Sequence, residues 1–211
     1  MMPVRLTIAS SIIVGALMLG SSPGSPWADP VGEVREVRKS AEVIPPEKTA
    51  VAAKPGEPVA EADTLRTGSD SRLQVEFVDN SMLVLGASAE LLVDKYVYEA
   101  SAESGSAVLQ AAQGALRFVS GRLEPKGEIS IDLPVAHIAL RGTELWAGPS
   151  RGVTGILLIK GRVEVSNEAG SVILSEPGQG TNIESANVAP TAPSVWPEAR
   201  VEEALSTVAL P

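Results

Sequence analysis

The chain has 211 residues, enough for one ordinary domain with tails. It is 44% hydrophobic, which excludes wholesale disorder, and it has no cysteine, which excludes disulfides, thiolate metal sites and a cysteine nucleophile. A formal net charge of −9 repels phosphate backbones, so nucleic acid is not an expected partner, and it gives no reason to expect binding to anionic lipid.

The first residues address the chain outward. Arg5 supplies a positive start, residues 6–20 are apolar with small residues mixed in, and residues 21–28 are polar and rich in Gly and Pro. This is the layout of a secretory signal peptide, expected over residues 1–28. The apolar stretch is about 15 residues, short of the ~20 that span a bilayer. Ala28 suits the residue before a cleavage point, with Ser22 and Gly24 as a competing pair. An uncleaved anchor is the alternative. The expected location is periplasmic or otherwise extracytoplasmic, without stable membrane insertion after cleavage.

An all-β domain is expected over residues 29–185. Val31, Val34, Val37 and Val43 stand among charges and read as one or two strands. Residues 45–58 hold four prolines and read as a loop. Leu73, Val75 and Phe77 alternate with Arg72, Gln74 and Glu76, the period of a half-buried strand. Asp79-Asn80 makes a tight turn into a partner strand at residues 82–85. Further strands are expected at 91–98, at 107–119 as two pieces around Gly114, at 129–133 and at 135–146. Residues 153–159 and 162–166 flank Gly161, and short pieces at 172–174 and near Ile183 close the series. Regular short strands without long helical patterns argue for an all-β fold. Period and turn chemistry leave two arrangements open, a β-solenoid-like roll or a two-sheet sandwich. Residues 186–211 read as an Ala/Pro-rich linker and a short helix, because Val201, Ala204, Leu205 and Val208 share one helical face. Pro197 is expected at the first helical position.

The most distinctive segment is residues 135–146, VAHIALRGTELW, where Arg141-Gly142-Thr143 interrupts an apolar strand. Gly142 there permits a bulge or a close backbone approach. With four further segments, the sequence resembles the FecR family of bacterial envelope proteins. These segments are Ala62-Asp63-Thr64-Leu65-Arg66-Thr67-Gly68, the turn segment Phe77-Val78-Asp79-Asn80-Ser81 followed by Leu83 and Leu85-Gly86, Gln113-Gly114-Ala115-Leu116-Arg117-Phe118-Val119-Ser120-Gly121, and Gly161-Arg162-Val163-Glu164-Val165 followed by Gly170 and Gly178-Gln179. The resemblance marks Asp63, Thr67, Gly68, Asp79, Gly114, Arg117, Arg141, Gly142, Thr143, Gly161 and Gly178 as a family signature with a structural role. Leu133-Pro134 stands where the family usually has Thr-Pro, and Ala139-Leu140 departs from the usual Gly-Ile/Val. The resemblance implies an all-β periplasmic domain. In its best-known members this domain senses an outer-membrane transporter and relays its state through a membrane helix to a sigma factor. Here the apolar stretch begins only a few residues into the sequence, so direct sigma-factor control by a preceding cytoplasmic segment is not expected. A free-standing binding or signalling module is expected, with an outer-membrane receptor or membrane sensor as partner.

Individual residues are weighed against plain structural roles. Arg141 is expected to tie backbone carbonyls or a carboxylate together inside the fold. His137, the only histidine, is expected to be packed, because one histidine without cysteine makes a poor metal site. Tyr96 and Tyr98 are expected as ordinary sheet packing, although two aromatics on one face also suit a sugar. Gly178-Gln179-Gly180 lacks the remaining elements of a dinucleotide site. No catalytic residue, cofactor or metal is expected. A cell-wall or polysaccharide-binding module is the alternative function, and a carboxylate hydrolase is a weaker one.

Overall fold

The computed structural model describes residues 29–123 and 127–210. The expected signal peptide lies outside the described residues. β1 (Pro30–Arg38) and β2 (Ala41–Ile44) occupy the first valine-rich segment. The proline-rich stretch is not all loop: it contains β3 (Val51–Ala52) and runs into β4 (Pro58–Ala60). Next come β5 (Thr64–Thr67), β6 (Arg72–Phe77), β7 (Met82–Leu85) and β8 (Glu90–Glu99). β9 (Ser104–Gln113), β10 (Leu116–Val119) and β11 (Glu128–Leu133) follow. β12 (Ala136–Ser150) and β13 (Val153–Asn167) are long. The two pieces expected around Gly161 are therefore one continuous strand. β14 (Gly170–Leu174), β15 (Gln179–Ile183), β16 (Ser194–Val195) and the helix α1 (Glu198–Ser206) complete the chain.

Alternation sets the register, as β6 illustrates. Leu73, Val75 and Phe77 are 2% exposed or less, while Arg72, Gln74 and Glu76 are only part-buried. A one-residue slip would exchange the two sets. Burying each large apolar side chain is worth about 1.5–3 kcal/mol, so a slip forfeits roughly 5–9 kcal/mol from this strand alone.

The sixteen strands of the described residues belong to one hydrogen-bonded sheet, which curls on itself as a half-barrel. The sheet forks at β12. The first half of that strand pairs with β11, from Leu133↔Ala136 to Ile129↔Leu140. The second half pairs with β10, from Val119↔Glu144 to Leu116↔Ala147. β13 runs along its other edge for nearly the whole length. One wing continues β11-β9-β8-β5-β2-β3 and the other β10-β7-β6-β1-β4. The wings face each other across one core, where Phe77 of β6 stacks on Tyr96 of β8 with centroids 4.3 Å apart. The arrangement has the face-to-face core of a sandwich, yet its two layers are joined through a shared strand pair.

A second, smaller apolar cluster lies outside this core. Val201, Ala204, Leu205 and Val208 pack with Val84, Trp146, Leu157 and Trp196. A nine-residue helix without a side-chain cap is too short to be stable alone, so this packing holds it. Trp146 Nε1 donates to Thr207 Oγ1 at 2.9 Å. The Arg200 guanidinium lies 3.5 Å from the Trp196 ring centroid and donates to Ser150 Oγ and Asn182 Oδ1. The segment expected as a linker is thus fastened down: β16 pairs with β15, and Thr191 accepts from Thr181 and Asn182. Pro197 precedes the first helical residue and does not occupy it.

Candidate functional site

The signature residues separate into two groups, and the first locks the crossings between wings. Asp63 is buried and its carboxylate accepts the Ala60 N–H at 2.8 Å. Burial pushes this carboxyl above its ordinary value, opposed by the Ala60 N–H and by Lys48. Thr67 Oγ1 donates to the Gly86 carbonyl at 2.6 Å and accepts the Ala89 N–H at 2.8 Å, binding the end of β5 to the loop before β8. Gly68 lies against Ser40, whose carbonyl accepts its N–H. Asp79 is fully buried in the expected turn and accepts four hydrogen bonds. They come from Ser81 N, Ser81 Oγ, Tyr96 Oη and Leu123 N, at 2.7–3.1 Å. Burial, followed by the Asp79 charge, holds the Tyr96 phenol well above its usual range. Tyr96 is thus the packed sheet residue expected.

The second group builds the fork. Between Arg141↔Arg162 and Glu144↔Lys160, β12 has two residues where β13 has one, so the ladder bulges. Ala136, Ile138 and Leu140 face the core before the bulge, and Leu145 and Ala147 face it afterwards. The bulge therefore changes parity and lets both halves of one strand bury apolar side chains. Thr143 fastens it: its Oγ1 accepts the Arg141 N–H at 2.9 Å and donates to the Arg162 carbonyl at 2.7 Å. Gly142 and Gly161 take φ of 60° and 87°, and a Cβ on Gly161 would stand 1.9 Å from the Gly142 oxygen. Arg117 on β10 ion-pairs with Glu144 beside the bulge. Gly114 and Gly178 stand apart from the fork, in turns against Ala89 and Val195.

Two sequence expectations change here. Arg141 is exposed, so its guanidinium is not tied inside the fold. Its position after Leu140, with the parity change still to come, points it outward. His137 is also exposed and not packed; it meets Asp132, its register partner on β11, at 2.5 Å. Among the described residues no group of three His, Asp or Glu is arranged to hold a metal ion. A cleft of about 440 Å³ opens at the fork, lined by Ser120, Gly121, Arg141, Gly142, Glu144 and Lys160.

Sequence reasoning did not single out β14. The ladder closes at Asn167↔Gly170 around a two-residue turn, so Asn167 and Gly170 bond each other across it. Alternation then turns the N–H and C=O groups of Ser171 and Ile173 away from β13. Among the described residues no other strand pairs with that edge, and Ile173 is 42% exposed. The period-two pattern of such a short segment holds no signal for an unpaired edge.

An all-β domain whose curled sheet forks at a glycine bulge is the class that fold and site define. The FecR protein family model matches residues 63–164, from the Asp63 turn lock through the fork into β13. The chain carries a FecR domain. Two crystal structures of a "putative anti-sigma factor" from Parabacteroides distasonis share the fold, with TM-scores of 0.54 and 0.55 at 14% identity. The alignment covers 67% of this chain and 64% and 63% of those chains. The chain therefore matches less than two thirds of their length. No curated protein matches the chain.

Proposed function

We propose that this chain is an exported signalling module that acts in the periplasm by binding another envelope protein, without catalysis of its own. The FecR domain supports a regulatory role, as does the fold shared with proteins described as anti-sigma factors. The outer edge of β14 is the observation on which the reading rests. Its unpaired backbone groups at Ser171 and Ile173 suit the addition of a partner strand, with Ile173 as an apolar anchor. The partner is the periplasmic part of an outer-membrane receptor or a membrane-bound sensor.

A photo-crosslinking residue placed at Ser171 in the full chain tests this in intact cells. Crosslinks to such a receptor or sensor are expected, and Ile173→Pro, which removes an outward N–H, abolishes them. Sedimentation with peptidoglycan and no crosslinked protein would replace the reading with a cell-wall module. Turnover of a sugar or peptide substrate by the purified chain would replace it with an enzyme.

A further inference from the structure

We infer that the outer face of the fork is a docking site for a carboxylate-bearing peptide segment of a partner protein, held by Arg141, Arg162 and Lys160. This rests on the reading of the chain as a protein-binding module and adds a second surface with its own chemistry. Arg141 and Arg162 are register partners across β12 and β13, so their side chains leave the same face. Both are exposed, as is Lys160 one position beyond the bulge. Like charges directly opposite one another destabilise a sheet. A fold selected only for stability would place an acid there.

The chain has acids to spare, with 26 acidic against 17 basic residues. It uses them elsewhere: Arg35 pairs with Glu33 and Glu76, Arg66 with Glu42 and Glu90, and Arg151 with Glu203. At the fork, Glu144 stands in register opposite Lys160, but its carboxylate is ion-paired with Arg117. Glu128 would continue the β11 register opposite Arg141, and Glu164 lies two residues beyond Arg162 on its face. Among the described residues, neither comes within the 4.0 Å of an ion pair. Two other like-charged pairs among the described residues stand opposite each other, and both differ: Arg72, opposite Arg38, donates to the Ser71 carbonyl at 2.7 Å, and Glu33 and Glu76 are bridged by Arg35.

The surroundings also fit an incoming chain. The cleft at the fork and a second of about 620 Å³ across β9, β11 and β12 share Arg141 as their common rim. The lining of the second cleft includes the small residues Ser106, Ser130 and Ala139, with Lys95, Glu128 and His137 beside them. Three local cations in a chain of net charge −9 suit one or two carboxylates, which arginine grips with two parallel bonds. They do not suit a long polyanion, which the acidic body repels.

The test uses a fluorescein-labelled peptide with two adjacent Glu residues in a Gly/Ser background, and polarisation measured on the full chain. Binding is expected with the Glu peptide, is lost with Gln in place of Glu, and weakens by about tenfold or more at 0.5 M salt, where charges are screened beyond a few Å. Arg162→Glu leaves Arg141 an internal partner, so it is expected to hold or raise the melting temperature while weakening peptide binding at least about tenfold. Lys160→Gln, at an exposed position, gives a second variant that weakens binding without unfolding. Equal binding of the Gln peptide, or unchanged binding by both variants, would overturn the inference. Inorganic phosphate or an anionic glycan outcompeting the peptide would overturn it in favour of a polyanion site. If both variants leave peptide binding unchanged while Ile173→Pro loses the crosslinks from the β14 edge, the fork inference fails and the module reading survives.

Discussion

Asp79→Asn tests whether the buried turn network holds the two wings together. Oδ1 of Asp79 accepts the Ser81 N–H at 2.9 Å and the Tyr96 hydroxyl at 2.7 Å. Oδ2 accepts the Ser81 hydroxyl at 2.7 Å and the Leu123 N–H at 3.1 Å. An amide has one oxygen, so its NH2 must face one of these pairs in either orientation. The hydroxyl of that pair turns round and accepts, whereas the backbone N–H has no such freedom. One buried N–H left unpaired costs about 1–3 kcal/mol, and loss of charge assistance at the remaining bonds adds about 1 kcal/mol. Relief of the desolvated carboxylate offsets little, because four donors already solvate it. The net loss is about 3 kcal/mol, or a fall of roughly 6–12 °C in melting temperature for a domain of this size. Tyr96→Phe removes one bond from the same carboxylate and costs about 1–2 kcal/mol. The double variant costs less than the sum, since both changes act on one network. Urea denaturation and thermal melts followed by circular dichroism measure all three. An Asp79→Asn protein within about 0.5 kcal/mol of wild type would refute the account.

Two further outcomes follow from the same geometry. Gly161→Ala places a Cβ 1.9 Å from the Gly142 oxygen at φ 87°, whereas Gly56→Ala has φ 84° with nothing within 4 Å. The second should cost about 1 kcal/mol and the first several times that or the fold itself, and equal melting temperatures would remove the fork's steric lock. Asp63 has a folded pKa above its unfolded value, so its contribution is fully present below the ordinary carboxylate value and is lost as pH rises through the folded pKa. Asp63→Asn keeps an acceptor for the Ala60 N–H and removes that loss. The melting temperature of the variant relative to wild type should therefore climb as pH rises above the ordinary carboxylate value of about 4, and a difference that stays flat as pH rises counts against a desolvated carboxylate at this turn.

Local pattern makes most of the strands legible, because a half-buried strand must alternate. Leu73, Val75 and Phe77 declare their face whatever lies across from them. The Asp79-Asn80 turn and the helical spacing of Val201, Ala204, Leu205 and Val208 are equally local. Even the bulge has a trace in the sequence: apolar positions 136, 138 and 140 give way to 145 and 147, a parity change around Gly142. What that trace cannot convey is the partner on each side of it. Only the folded sheet decides that β11 takes the first half of β12 and β10 the second, so that two wings close on one core. That pairing joins residues far apart in the chain, and hydrophobic period carries no record of which edge meets which. For the same reason, the sequence placed Arg141 inside, as an arginine in an apolar strand, while the register with Arg162 places both outside. Composition and period determine which residues are buried; long-range pairing decides which cations are left facing one another at the Arg-Gly-Thr bulge.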